Sequence, residues 1–164
     1  NFQVFTLPAG KYWVGDISYP FPQEGLNSEI WPMIEDATNC FEDCKYIKIG
    51  DVEVWASPTE NGIGIYNSFS GFEFPVNSGM LGIINQKTIE FLNPSNILYD
   101  DVNFDINQYL ENCGQFIEME ENFLVKFKDG EFQFGPLYID TSDEYIENED
   151  DEDYFDQYNP ETYR

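Results

Sequence analysis

The chain has no histidine, only seven Lys plus Arg, and only three cysteines among 164 residues. Each scarcity removes a class of function. Without histidine, the commonest general acid or base at neutral pH and the commonest metal ligand are both missing. Six lysines and the single Arg164 stand against 32 Asp plus Glu, for a formal charge of −25. Such a chain repels phosphate backbones and has no basic stripe from which counterion release could drive nucleic-acid binding. Anionic membrane surfaces are excluded on the same ground. No apolar run approaches the ~18 residues of a membrane-spanning helix, and no basic segment leads into an apolar stretch. The expected setting is therefore cytoplasmic, the host cytoplasm if the source is viral. Cys40, Cys44 and Cys113 are an odd number, which suits a reducing compartment better than a disulfide framework.

What is present describes a folded protein rather than an acidic coil. Hydrophobic residues make up 41% and aromatic residues 18%, including 15 Phe and 11 Tyr, enough surface to bury against chain entropy. The length predicts one domain with an appendage. Phe2 to Leu7 alternates loosely and reads as a strand. Pro8, Ala9 and Gly10 make a turn, and Lys11 to Val14 starts a second strand that stops at Gly15 and Asp16. Pro20, Pro22, Gly25 and Pro32 make the next segment an irregular loop pinned by Tyr19, Phe21 and Trp31, and Pro32 to Cys44 suits a short helix. Tyr46 to Ile49 and Val52 to Ala56 flank a Gly50-Asp51 turn as a hairpin.

The stretch Asn61-Gly62-Ile63-Gly64-Ile65-Tyr66-Asn67 lacks both the third glycine of a dinucleotide loop and the Gly-Lys-Ser/Thr of a P-loop. It reads as a strand or turn whose glycines allow close backbone approach. Phe72 to Val76 and Met80 to Ile84 continue the β pattern. An amphipathic helix over Asp100 to Asn112 would turn Phe104, Tyr109 and Leu110 to the core. Phe116 to Met119, Phe123 to Phe127, Glu131 to Phe134 and Tyr138 to Ile139 then read as strands, with the Asp129-Gly130 turn a strong hairpin signal. The expected fold is mainly β: a barrel or two-layer sheet domain over residues 1–141 with one or two short helices.

At Ser142 the composition changes. Residues 142–164 form an acidic C-terminal segment with interleaved aromatics, the pattern of an interaction tail. Ser142 is a good N-cap followed by Asp143 and Glu144, and Tyr154, Phe155 and Tyr158 can share a helical face, so docking or a partner is expected to order the tail.

Gly10-Lys11-Tyr12-Trp13-Val14-Gly15-Asp16-Ile17-Ser18-Tyr19 resembles the opening of a family of small, largely uncharacterised proteins of bacteria, phages and large DNA viruses. That opening reads Gly-Lys-Tyr, two residues, then Gly-Asp-Pro-Cys-Tyr. Thr59 to Tyr66 is similar to the family's Thr-x-x-Gly-Asp-Gly-x-Tyr segment, and Val76 to Gly82 to its Val-Asp-Ser-Gly segment. Asp129 to Thr141 resembles its closing Asp-Gly, Phe-Gly and Ile-Asp-Thr strands. The resemblance implies a β-rich fold and no particular activity. Where the family has Pro-Cys this chain has Ile17 and Ser18, and where it has Asp this chain has Ile63, Asn67 and Asn77. Asp16 alone survives, so thiol or clustered-carboxylate chemistry would be crippled here.

Catalysis is therefore not expected. Chance pairs of acids abound and no spacing singles one out. An EF-hand order is absent from the tail, and Cys40 and Cys44 lack a second pair of zinc ligands, so neither metal nor cofactor is expected. Residues 140–164 carry a net −10 and residues 1–139 a net −15, so the domain is acidic in its own right. Suppressed mixing of signs is expected where a one-sign field is itself the working feature. Duplex DNA presents about one charge per 1.7 Å of axis. Carboxylates on one strand face lie roughly 6.6 Å apart, and those one helical turn apart about 5–6 Å, both near phosphate spacing.

The expectation is a DNA-mimicking inhibitor that binds the basic cleft of a nuclease, restriction enzyme or other host-defence protein. The contact residues would be Asp143, Glu144, Glu147, Glu149, Asp150, Asp151, Glu152, Asp153, Tyr154, Phe155, Asp156 and Tyr158. The alternatives are an acidic adaptor or chaperone for a basic protein, and a structural protein of a virion or assembly.

Overall fold

Alternation of period two governs most of the chain, and where both alternate faces are apolar the strand is covered on both sides. The computed structural model describes residues 2–37, 45–94 and 105–141. Their elements run β1 (Phe2–Leu7), β2 (Gly10–Asp16), α1 (Ile30–Ala37), β3 (Lys45–Ile49), β4 (Val52–Pro58), β5 (Gly64–Asn67) and β6 (Glu73–Val76). Then follow β7 (Met80–Asn85), α2 (Gln86–Leu92), α3 (Ile106–Cys113), β8 (Gly114–Met119), β9 (Phe123–Lys128), β10 (Glu131–Phe134) and β11 (Leu137–Asp140). One antiparallel sheet has the order β1-β9-β10-β11, a second β3-β4-β7-β2-β8, and β5 pairs with β6.

Two of these ladders are one ribbon bent at a corner. Leu7 pairs with Phe123 and Gly10 with Met119, so Pro8 and Ala9 on one side face Glu120, Glu121 and Asn122 on the other. The extra residue bends the ribbon, as a bulge does, and lays one sheet across the other. The Tyr12 hydroxyl donates to the Pro8 carbonyl at 2.9 Å and braces the corner.

The result is a two-layer sheet arrangement rather than a closed barrel, with helices on the outer side of the five-stranded layer. Tyr12, Val14, Trp55, Leu81 and Ile83 of that layer face Val125, Phe127, Phe132, Phe134 and Ile139 of the other. On its reverse face Trp13, Val54, Ala56, Met80 and Ile84 pack with Ile34, Ile89, Leu92 and Leu110 of the helices. The inter-sheet core is aromatic, and edge-on pairs such as Phe127–Phe132, with centroids 5.5 Å apart, each add about 0.5–1.5 kcal/mol beyond burial.

The glycine expected to stop the second strand instead lies inside it. β2 runs through Gly15 to Asp16, and Gly15 pairs with Gly82 of β7 and Gly114 of β8. In this row of three glycines Gly15 and Gly114 make room for the fully buried Trp13, and Gly82 for Ile17 and the neighbouring β4 backbone. A Cβ on Gly15 would sit 2.4 Å from the indole, and one on Gly114 2.3 Å from it. The indole N–H donates to the Leu110 carbonyl at 2.9 Å, tying α3 to the sheet.

Other expectations need correction in detail. The described residues hold three helices, not one or two. The unforeseen α2 follows β7 without a break, and Asn85 caps it by accepting from the Lys87 amide at 2.7 Å. α1 begins at Ile30, ahead of Pro32. α3 is capped by Asp105, which puts Ile106, Leu110 and Cys113 on its inner face and leaves Tyr109 42% exposed rather than in the core. Cys40, Cys44, Phe104 and residues 142–164 lie outside the described residues. No described helix is long and apolar enough to cross a membrane.

Candidate functional site

Two of the segments that carry the resemblance, Gly10 to Tyr19 and Val76 to Gly82, meet at the end of β2. Asp16 is fully buried there. Its Oδ1 accepts the Ser18 amide at 2.8 Å and the Ser78 hydroxyl at 2.8 Å; its Oδ2 accepts the amides of Asn77 at 2.5 Å and Ser78 at 2.9 Å. Four donors on one carboxylate leave it no room to act as a base, and charge-assisted bonds of this kind are about twice as strong as neutral ones. Asn77, where the resemblance has an acid, donates its side-chain amide to the Tyr19 hydroxyl at 2.5 Å. The Asp16 group is thus a tie between the end of β2 and the turn that enters β7.

Cys113 is also buried, and its thiol is pushed up to about 12 by burial and then by the nearby Asp16 charge. A thiol held so far above neutrality is an inert core group. Among the described residues no group of three or more Cys, Asp or Glu is disposed to hold a metal ion.

A second convergence fixes the exit, the point where the described residues end and the acidic segment 142–164 follows in the sequence. Thr141 is fully buried at the end of β11. Its amide and its hydroxyl both donate to the Gly130 carbonyl, at 2.8 and 2.6 Å. Its own oxygens accept the Glu60 amide at 3.0 Å and the Asn61 side-chain amide at 3.1 Å. Gly130 has φ +90°, and a Cβ there would lie 2.8 Å from Glu60 Cβ, so the turn needs glycine for its backbone and for Glu60 to fit. The glycine-rich stretch is held alongside: the Thr59 and Tyr66 hydroxyls both donate to the Gly62 carbonyl, at 2.6 and 2.7 Å.

This anchoring gathers acids around the exit. Glu131 of β10 stands directly opposite Asp140 of β11 on one side and Lys128 of β9 on the other. Asp129 occupies the turn beside them with φ +44°, and Glu60 packs against the following glycine. Directly opposed like charges are normally unfavourable, and their placement here concentrates negative potential at the base of a 23-residue segment that holds ten more acids. Tyr138 reports this field. Its hydroxyl donates to Glu131 at 3.1 Å, and burial, that bond, and the charges of Glu131 and Asp140 push it up to about 12.

Tyr46 behaves alike for a different reason, its 2.5 Å bond to Glu53 holding the phenol up to about 12. Both tyrosines have raised folded values, so their contribution to stability is complete below pH about 10 and is lost as pH rises towards about 12. An alkaline titration followed by phenolate absorbance is expected to show this late ionisation. Glu53→Gln should return Tyr46 towards the usual value, and an unchanged curve would remove the assigned cause.

All twelve tail residues expected as contacts, from Asp143 to Tyr158, lie outside the described residues. Sequence reasoning missed the acids at the exit because Glu60 and Asp140 are brought to the hairpin by register and by the Thr141 bonds. No known family model matches the chain, and no characterised protein or solved structure is significantly similar to it.

Proposed function

We propose that the protein is an acidic DNA-mimicking inhibitor, which acts by binding the basic nucleic-acid cleft of a nuclease, restriction enzyme or other host-defence protein. The observation that carries this reading is the acidic exit: Glu60, Asp129, Glu131 and Asp140 gathered at the buried anchor of the tail. Lys128 of β9 offsets Glu131 in part, yet four carboxylates against that one cation leave the exit net negative, as suits a surface that works by its potential. Asp16 and Asn77, two of the positions that the resemblance marks, are taken up in structural bonds, which fits action by binding rather than by chemistry. The proposed contact surface is therefore the exit acids continued by Asp143 to Asp156, with Tyr154, Phe155 and Tyr158 supplying stacking contacts.

The test is capture from a host lysate at low salt followed by elution with competing duplex DNA. DNA should displace the captured partner, and affinity should fall about 10³-fold as salt rises from about 50 to about 200 mM, as for a cleft that holds several phosphates. A partner that DNA cannot displace would overturn mimicry. Neutralising the exit acids by Glu60→Gln, Asp129→Asn, Glu131→Gln and Asp140→Asn should weaken binding while the tail is intact. Loss of all binding on truncation after Thr141, with no effect of those four changes, would favour the adaptor reading.

A further inference from the structure

The turn between β5 and β6 carries a side chain that the turn does not need. Its backbone is closed by bonds from the Gly71 amide to the Ser68 carbonyl at 2.9 Å and from the Ser68 amide to the Phe72 carbonyl at 3.0 Å. The Ser68 and Ser70 hydroxyls bond to each other at 2.7 Å, and the Phe72 amide donates to Ser68 Oγ at 3.3 Å. Serine and glycine are ordinary turn residues, whereas Phe69 between them is not. It is nonetheless 83% exposed, more than any other large hydrophobic side chain among the described residues.

Phe69 is exposed but not loose. Its amide donates to the Tyr138 carbonyl at 3.2 Å, and Ser68 forms a β-bridge with Ile139, so the turn is tied to β11. Its ring meets the Tyr138 ring in an edge-to-face pair with centroids 4.9 Å apart, and at 83% exposure at least one face of the Phe69 ring is open to solvent. A lone exposed phenylalanine is ordinary on a mobile tip. One fixed by backbone bonds has already given up the freedom that binding would otherwise cost.

The surroundings select the occupant. The exposed neighbours Asn67, Ser70, Gly71 and Glu73 are polar or small, so the ring offers no apolar patch for an apolar partner to cover. Carboxylates stand to either side of it. Glu73 begins β6 at the foot of the turn, and Glu131 accepts the Tyr138 hydroxyl at 3.1 Å, with Lys128 on the side of Glu131 away from β11. An aromatic face in a negative field attracts a cation, and a guanidinium suits it better than an ammonium because it is planar, weakly hydrated and stacks on rings. We infer that the Phe69–Tyr138 pair seats an arginine of the basic partner, its guanidinium flat on the open face of Phe69. The seat rests on the reading that a basic protein meets this acidic side of the domain, and it adds the residue type that is recognised.

The test uses the full chain and two probes, acetylated and amidated peptides of four Gly-Arg and of four Gly-Lys repeats, titrated at about 50 mM salt. The arginine peptide should bind at least about threefold more tightly than the lysine peptide and should shift the ring proton resonances of Phe69 and Tyr138. Phe69→Ala should bring the ratio to about one, while urea unfolding moves little because the ring is mostly in water. Phe69→Trp should keep or raise the ratio, since indole is the best of the aromatic faces for a cation. A wild-type ratio of one, or a preference that survives Phe69→Ala, overturns the proposal. Mimicry fails separately: a captured partner that DNA cannot displace refutes it, yet the arginine seat stands if the ratio and its loss in Phe69→Ala are found.

Discussion

Gly15→Ala is expected to destabilise the domain by about 3 kcal/mol or more, above the usual range for overpacking. The three nearest atoms to its added Cβ all belong to the Trp13 indole, at 2.4, 2.6 and 3.1 Å. The indole cannot retreat, since it is fully buried and its N–H is fixed on the Leu110 carbonyl. The diagnostic is a double-mutant cycle in urea. On a Trp13→Leu background, itself less stable, Gly15→Ala should cost far less, because the clashing atoms are gone. Gly114→Ala should keep most of its cost there, since its Cβ also meets the Val14 carbonyl oxygen at 2.4 Å. A Gly15→Ala protein with wild-type stability would mean that the glycine row is incidental.

Removing the Asp16 carboxylate is expected to have a comparable effect. Asp16→Ala leaves three backbone amides without their acceptor around a buried site and the Ser78 hydroxyl with only the Met80 carbonyl at 3.4 Å, at about 1–3 kcal/mol for each group that water cannot reach. Relaxation and an entering water would offset part of this, so a net loss of about 4 kcal/mol is expected. Asp16→Asn separates charge from shape. It keeps the size but turns one acceptor into a donor, placing N–H against N–H, so it should rescue little or none of the loss. Urea unfolding of the two variants decides the matter. If Asp16→Asn were as stable as the wild type, the carboxylate would not be the tie that its four bonds describe.

The strands were legible because their alternation is strong. Phe123, Val125 and Phe127 against Leu124, Lys126 and Lys128 can form only one kind of element. The helices were less so. α2 is seven residues long, too short for periodicity, and only the capping asparagine at its start announces it. Placing a helix over Asp100 to Asn112 was right in kind, but the cap at Asp105 fixes which face turns inward, and that moved Tyr109 outward. Gly15 misled because an isolated glycine weakens a strand, and its reason here is a tryptophan two residues away and two glycines on neighbouring strands. The partners of Asp16 were invisible because three of its four donors are backbone amides, which no side chain advertises. The acids at the exit are separated in sequence by up to 80 residues and meet only through register.

The bent ribbon has a consequence for how the chain reaches its fold. It pairs Phe2 with Lys128 and Gly10 with Met119, so the first strands of the chain meet partners from near the end of the described sequence. Contacts of such long separation must close a large loop before they return any energy, and folding of this type takes about milliseconds to seconds rather than microseconds. During synthesis β1 emerges well before β9, and β2 well before β7 and β8, so both wait, apolar and unpaired, for later strands. The acids that accumulate on the chain meanwhile keep nascent copies apart, so the same charge that is proposed to meet a partner also protects a slow folder from its own kind.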